Sequence, residues 1–440
     1  MAFLGPRVLN SLHTPQGDPG SGSGHKGPEA IPRDTLRQGQ GGVLRALTLA
    51  ASAVVHALLL SCGPARAPDI PKLTPERQEL VARLSLPPRE ARFTADSAVI
   101  LLDGSGNTAQ FRRFGGTWRA EDLSSGRFGS IPASAGATLV VSPDGLMLWD
   151  PVSTVLRPLL SPSSEPVEVP LQRPDEVFVS GTQGGMPRHH GRLLVSGTDM
   201  VLERRVFRPQ ADSITTPGYL VHSDSGFQKE DTLHSFVAST YGQRTGGVMV
   251  CCSRPLVFSP QAHWVLAGKD LVAFSSGDGS SLLLIPLEDG LGVDSIPLGI
   301  DPSRVRDWHI LRYALRQASV RPDWSREQAW KYSRQVLRSK DYLRQGFSDR
   351  TPLVTQLFPL NEKEIWVRHF DPRSWEYGLS DFWTVVDIQT RTTEVVRIPN
   401  LGLVHDLKRS GNEVTFLSSA FKDPGGRLLE VSTYSGRHYP

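Results

Sequence analysis

The chain has 440 residues, 39% of them hydrophobic, with 41 Gly, 34 Pro and a formal net charge of +3. A chain of that length buries a large core, as two domains or as one repeat domain, and frequent turn formers with almost no amphipathic helical periodicity point to an all-β protein. Arg far outnumbers Lys, as GC-rich codons produce, and with no basic run and no RNA-binding aromatic signature, nucleic acid is excluded as a partner.

Residues 1–42 are rich in Gly, Pro, Ser, Gln and charge, show no apolar period, and are expected to be a disordered extension. Residues 43–61 read as a signal peptide. Arg45 supplies the positive start, and 46–60 form an apolar stretch broken only by Thr48, Ser52 and His56. That stretch is shorter than the roughly 20 residues a bilayer span needs, so secretion is the better reading. It starts some forty residues into the chain; an alternative start codon at Val43 would explain this.

The signal closes on Leu59-Leu60-Ser61-Cys62-Gly63, which resembles a bacterial lipobox. The resemblance implies that Cys62 is diacylated through its sulfur, that cleavage falls just before it, and that the new amino terminus is acylated too. Several acyl chains hold a protein on a bilayer where one chain binds only marginally. A plain cleaved signal, or an apolar segment that happens to end in Cys, is the alternative. Gly63 after the cysteine resembles the outer-membrane sorting signal of Gram-negative lipoproteins. The expected address is therefore the cell envelope, with the folded part lipid-anchored to a membrane, the outer membrane favoured, on its periplasmic or extracellular side.

With Cys62 lipidated, the remaining cysteines are the adjacent pair Cys251 and Cys252. Neighbouring α-carbons sit about 3.8 Å apart, below the usual disulfide range of roughly 4.4 to 6.8 Å, so a vicinal bridge would be strained. Two reduced thiols on opposite faces of a strand are the plainer alternative, although an oxidising compartment favours the ring.

A Pro-rich tether over 62–75 leads into repeated β-prone runs divided by polar turns, expected to fill 76–440. Residues 79–87 form a strand belonging elsewhere. A first blade is expected from 98–102, 109–114, 117–123 and 127–131, with turns at Asp103-Gly104 and Ser125-Gly126. The second covers 137–171. The third, over 175–222, draws on VFVSG, GRLLVSG, MVLERRVF and YLVHSDSG, and KEDTLHSF closes this blade or begins the next. The fourth uses 263–268, 271–275, 281–287 and 293–298, and the fifth 353–358, 364–370, 382–388 and 393–398. The last segment holds only three strands, 401–407, 413–418 and 427–434; the strand near 80–86 supplies the fourth and joins the two ends of the chain.

Residues 301–351 are a helical insertion between blades four and five. Ser325 and Gln328 form a capping box, with apolar residues at helical spacing as far as Gly346, and 306–318 make a shorter helix before it. Trp308, Trp330 and Tyr332 are expected to pack on the propeller surface, and the hairpin is placed to act as a lid over one mouth of the ring. The remaining length suits six blades of about 52 residues or seven of about 45. The strand census gives six.

The runs RPLVFSPQAHWVLAGKDLVAFSS, EKEIWVRHFDP and FWTVVDI, together with the lipobox, resemble the six-bladed β-propeller lipoproteins of the NHL and TolB-like type found in bacteria. No G-x-S-x-G, H-E-x-x-H, P-loop, C-x-x-C or regular Ca²⁺ loop is present, and no catalytic residue, metal or cofactor is assigned. His189 and His190 are neighbours that point apart, a poor chelating pair. Propeller enzymes similar to gluconolactonases bind a divalent metal at the channel mouth. That resemblance brings in Asp199, His263, Asp270, Glu364, His405 and Asp406, read as starting or ending inner strands, with solvated strand ends as the plainer alternative. The expected function is a membrane-anchored envelope module that binds or scaffolds a protein, peptide or glycan. A metal-dependent hydrolase or lactonase is the alternative.

Overall fold

The computed structural model describes residues 70–84, 88–103, 106–121, 137–142, 145–150, 155–159, 167–168, 190–196, 199–205, 215–224, 230–240, 257–288, 291–319, 325–338, 348–371, 379–422 and 426–435. The described residues belong, but for Ile70, to one compact unit, Pro71–Pro440. Cys62, His189, Cys251 and Cys252 lie outside them.

Among the described residues twenty-four strands form six antiparallel sheets of four, and five of the sheets are simple meanders. Blade one comprises β2 (Pro88–Phe93), β3 (Val99–Asp103), β4 (Thr108–Phe114) and β5 (Thr117–Glu121), and β1 (Arg77–Leu84) precedes it. Blade two holds β6 (Thr138–Ser142), β7 (Gly145–Asp150), β8 (Val155–Pro158) and β9 (Val167–Glu168). Blade three holds β10 (His190–Ser196), β11 (Asp199–Arg205), β12 (Thr215–Ser223) and β13 (Glu230–Thr240). Blade four is β14 (His263–Leu266), β15 (Leu271–Ser275), β16 (Ser281–Pro286) and β17 (Asp294–Pro297). Blade five is β18 (Val354–Pro359), β19 (Glu364–Phe370), β20 (Leu379–Asp387) and β21 (Thr392–Arg397). Blade six is β22 (Leu403–Ser410), β23 (Glu413–Lys422) and β24 (Gly426–Ser435), completed by β1, which pairs antiparallel with β24 from Arg77 against Thr433 to Leu84 against Arg427.

A four-stranded sheet cannot cover both of its faces, and the packing shows how each is covered. The first strands touch in sequence, β2 to β6, β10, β14, β18 and β22, and β22 returns to β2. Six buried clusters accompany the six junctions. Ile100 and Leu102 meet Leu139 and Leu148 between blades one and two, and Val99, Leu101 and Phe93 meet Leu417 and Val431 where blade six returns to blade one. Between blades five and six, Trp366, Trp383 and Phe416 pack edge to face with centroids 5.4 to 6.1 Å apart. The protein is a closed six-bladed β-propeller whose fully buried interfaces carry its hydrophobic stabilisation.

Three details differ from the sequence expectation. Blade one starts with Pro88–Phe93, so residues 98–102 supply its second strand, and the expected strand at 127–131 lies outside the described residues. Glu90 and Arg92 hid this inner strand, because an alternation of opposite charges reads as a loop until their mutual neutralisation is seen. In blade three, 177–181 lie outside the described residues, and Glu230–Thr240 closes the blade. The third concerns the insertion, which holds α1 (Asp307–Ser319) and α2 (Arg326–Arg338) in mutual contact. The capping box forms: Gln328 N–H donates to Ser325 Oγ at 3.2 Å and Ser325 N–H to Gln328 Oε1 at 2.6 Å. Trp308 and Trp330, however, remain 41% and 43% exposed rather than packing down, and Tyr332 is half-buried. No helix among the described residues is long and apolar enough to cross a membrane.

Candidate functional site

In a four-stranded meander the start of the first strand, the end of the second and the start of the third share one face of the ring. The insertion leaves β17 and enters β18, so it emerges on that face. Its stem is a short ladder: Val305 N–H donates to Asp349 O at 2.9 Å, Thr351 N–H to Ser303 O at 2.8 Å, and Arg304 bridges Arg350. Helix α1 then leans back towards blade five. Phe258, just ahead of blade four, meets His309, Tyr313 and Phe370 edge to face, with centroids 5.8 to 6.2 Å apart, which seats the helix.

Between stem, helix and blade five lies a cleft of about 370 Å³. The insertion lines it with Asp301, Ser303, Arg304, Arg306, Trp308 and His309. Blade five contributes Leu353, His369, Phe370, Asp371, Ser380 and Phe382. The Arg397 guanidinium sits 5.7 Å over the Phe382 ring and donates to Asp381 at 3.4 Å, which steadies that aromatic wall.

Burial favours the neutral form of both histidines. His309 is 2% exposed, and its Nδ1 accepts the Arg306 N–H at 2.8 Å, so the neutral ring carries its proton on Nε2, which has no partner among the described residues. Burial lowers its pKa, and the Arg306 charge lowers it further. His369 shares a 2.7 Å hydrogen bond with Thr384 Oγ1, and burial brings it down to about 4. Arg304 and Arg306 are exposed and have no ion-pair partner among the described residues. The cleft thus combines two exposed guanidinium groups, the carboxylates of Asp301 and Asp371, imidazoles whose neutral form burial favours, and aromatic walls. Such a lining suits a ligand with an apolar or planar part and hydrogen-bond acceptors.

No family profile and no curated protein sequence matches this chain. Among solved structures, it is similar to YCF48 bound to D1 peptide, with 11% identity over 85% of this chain and 99% of that one, TM-score 0.37. A chain of the mitotic checkpoint complex matches with 10% identity over 85% and 96%, TM-score 0.36. A puromycin-hydrolysing peptidase of Mycobacterium tuberculosis matches with 10% identity over 84% of this chain and 55% of its own, TM-score 0.38. At such identities and scores these likenesses carry no argument about ligand or chemistry.

The residues singled out for a channel-mouth metal separate. His263 begins the first strand of blade four, on the face of the cleft. Asp199, Asp270 and Glu364 stand at the starts of second strands, on the opposite face, and not on inner strands as expected. Glu364 is engaged there by Trp366 Nε1 at 2.9 Å and Arg409 at 2.6 Å. His190 lies in β10 opposite Arg204. Among the described residues, no group of three or more His, Cys, Asp or Glu is arranged to hold a metal ion.

His405 and Asp406, on the inner strand of blade six, serve the ring. Asp406 Oδ2 accepts the Phe93 N–H of blade one at 2.9 Å, and Glu90 Oε2 accepts the Leu139 N–H of blade two at 2.7 Å. Arg92 joins them, 2.6 Å from Glu90 and 3.4 Å from Asp406. Burial alone would lower the Arg92 pKa, but the two carboxylates outweigh it and leave it raised. Burial raises Asp406 against the pull of Arg92 and of the Phe93 and Leu407 N–H groups. His405 donates to or accepts from Ser419 Oγ at 2.9 Å and is lowered to about 4, first by burial. Glu90 and Arg92 escaped the sequence reading, and so did the cleft residues His309 and His369. A charged E-x-R pair directly before an apolar strand was the available signal.

Proposed function

We propose that the protein is a lipid-anchored binding module of the cell envelope, related in plan to the bacterial propeller lipoproteins of the NHL and TolB-like type. Its ligand seat would be the cleft between the helical insertion and blade five. The observation that carries this reading is the cleft itself: about 370 Å³, built by two separate elements, and lined by the exposed Arg304 and Arg306, the carboxylates of Asp301 and Asp371, and the aromatic rings of Phe370 and Phe382. Sites for small ligands begin at about this volume, which here admits a few residues of a peptide, a protein loop or a short glycan. Aromatic walls such as Phe370 and Phe382 suit either an apolar side chain or the face of a sugar ring. The anchor is supported by the lipobox-like run ending at Cys62.

Two measurements test the two halves separately. Peptide and glycan arrays probed with the Pro71–Pro440 unit should give ligands that the Arg306→Ala and Phe382→Ala variants no longer hold while melting as the parent does. Ligands retained by both variants would remove the cleft from the reading. Labelled palmitate should enter the full chain and fail to enter the Cys62→Ala variant; equal labelling would remove the anchor.

A further inference from the structure

The helical insertion differs in charge from the rest of the chain. Residues 301–351 hold twelve Lys and Arg against six Asp and Glu, a net charge of +6 in 51 residues, whereas the whole chain is +3 and the other 389 residues therefore sum to −3. No continuous basic run marks this, because the charge is spread over all 51 positions.

The same segment carries two of the exposed tryptophans. Trp149, Trp264, Trp366 and Trp383 are fully buried between blades, yet Trp308 on α1 and Trp330 on α2 remain over 40% exposed. On α2, Glu327, Trp330, Lys331 and Arg334 follow one another at helical spacing and are all exposed. Lys331 and Arg334 have no ion-pair partner among the described residues, nor does Arg350 in the stem. Amphipathic rings next to cations that have no ion-pair partner among the described residues, on a helix in contact with its neighbour, are the composition of a surface that meets lipid headgroups.

A third observation concerns where the chain enters the ring. Pro71 O accepts the Arg397 N–H at 2.9 Å, and Leu73 N–H donates to Arg397 O at 2.9 Å, so the entering segment lies along the outer strand of blade five. Arg397 in turn covers Phe382, which lines the cleft under α1. Entry point and insertion therefore share blade five.

From charge, exposed tryptophans and entry point together, we infer that the helical insertion is a membrane-facing surface which rests on an anionic phospholipid bilayer, with Trp308 and Trp330 at headgroup depth and Lys331 and Arg334 against the lipid phosphates. The entry point adds weight only if Cys62 is lipidated, as proposed above: eight residues lie between it and Pro71, a reach of about 30 Å at full extension. The charge and the tryptophans argue independently of that anchor.

The Pro71–Pro440 unit contains the closed ring and all six buried clusters and lacks Cys62, so it tests the surface without the lipid. In vesicle co-sedimentation it should partition into phosphatidylcholine vesicles containing about 30% phosphatidylglycerol at least tenfold better than into pure phosphatidylcholine, and lose that preference in high salt. Lys331→Ala with Arg334→Ala should lower the partition about 25-fold, about fivefold for each cation. Trp308→Ala with Trp330→Ala should lower it on both kinds of vesicle, with the melting transition of each variant unchanged. Equal partition on both vesicles, no partition on either, or partition insensitive to both double variants would overturn the inference. Palmitate labelling at Cys62 together with any of these outcomes would overturn the inference while leaving the anchor standing.

Discussion

Acid stability offers the sharpest test of how the ring is closed, because His405 is 6% exposed and sits beside the charges that join blades six and one. Burial holds its imidazole neutral and brings its pKa down to about 4 from the usual 6.5, with Arg92 and Arg427 lowering it further and Glu90 pulling the other way. A histidine depressed in the folded state binds protons more readily when unfolded. The stability tied to its neutral form is complete above pH 6.5 and drains away as pH falls through the folded value near 4. Full protonation would cost about 3.4 kcal/mol, and at about pH 5 the loss from this one ring is about 2 kcal/mol. His405→Gln removes the titration while keeping an amide able to bond Ser419 Oγ. In urea unfolding of the Pro71–Pro440 unit, this variant should be less stable than the parent at about pH 7.5, by about 1 to 2 kcal/mol for the imperfect replacement. Between about pH 7.5 and about pH 5, however, it should lose about 2 kcal/mol less than the parent does. His369, in blade five, titrates in both proteins and cancels in the comparison. Equal losses on acidification would show that His405 does not stay neutral in the folded ring, and the account of that junction would fall with it.

Two further outcomes follow from the same junction logic. Arg368 is 1% exposed and its guanidinium donates to Ser380 O at 2.9 Å, Gln356 Oε1 at 3.1 Å, Gly402 O at 2.5 Å and Leu401 O, tying blade five to the connection into blade six. Arg368→Met should therefore cost at least about 3 kcal/mol in urea unfolding by leaving buried carbonyls without donors, and Arg368→Lys should recover less than half of that, since one ammonium cannot span four acceptors. A chain beginning after β1 loses the strand that pairs with β24 and removes Val81 from the blade six to blade one cluster. It should leave the monomer peak in size-exclusion chromatography through its exposed β24 edge, and a peptide of residues 76–87 added in trans should restore the monomer; a truncated chain that stays monomeric with the parent's melting temperature would refute closure by β1.

What was legible in the chain depended on whether a residue's role was local. Blade five could be read almost to the residue, because Val354–Pro359, Glu364–Phe370, Leu379–Asp387 and Thr392–Arg397 are β-branched and aromatic runs separated by turns whose chemistry acts within three or four positions. The capping box at Ser325 and Gln328 was legible for the same reason. Even the return of β1 to blade six could be inferred, since a blade with three strands demands a fourth. Roles set by distant partners were not legible. Glu90 and Arg92 look like solvated polar residues until Leu139 and Asp406, 49 and 314 positions away, are placed against them. His309 looks like an ordinary polar residue of a first helical turn until the rings of Phe258 and Trp308 are placed against it. Trp308 and Trp330 failed in the opposite direction: a tryptophan near helical spacing is expected in a core, and only the finished surface shows that no core is there for it. Those half-exposed rings are the best guide to what the insertion does. Burial inside the ring accounts for the fully buried tryptophans between blades, whereas Trp308 rests on His309 with centroids 3.7 Å apart and still keeps an exposed face, and Trp330 stays 43% exposed, which is the surface an outside partner would cover.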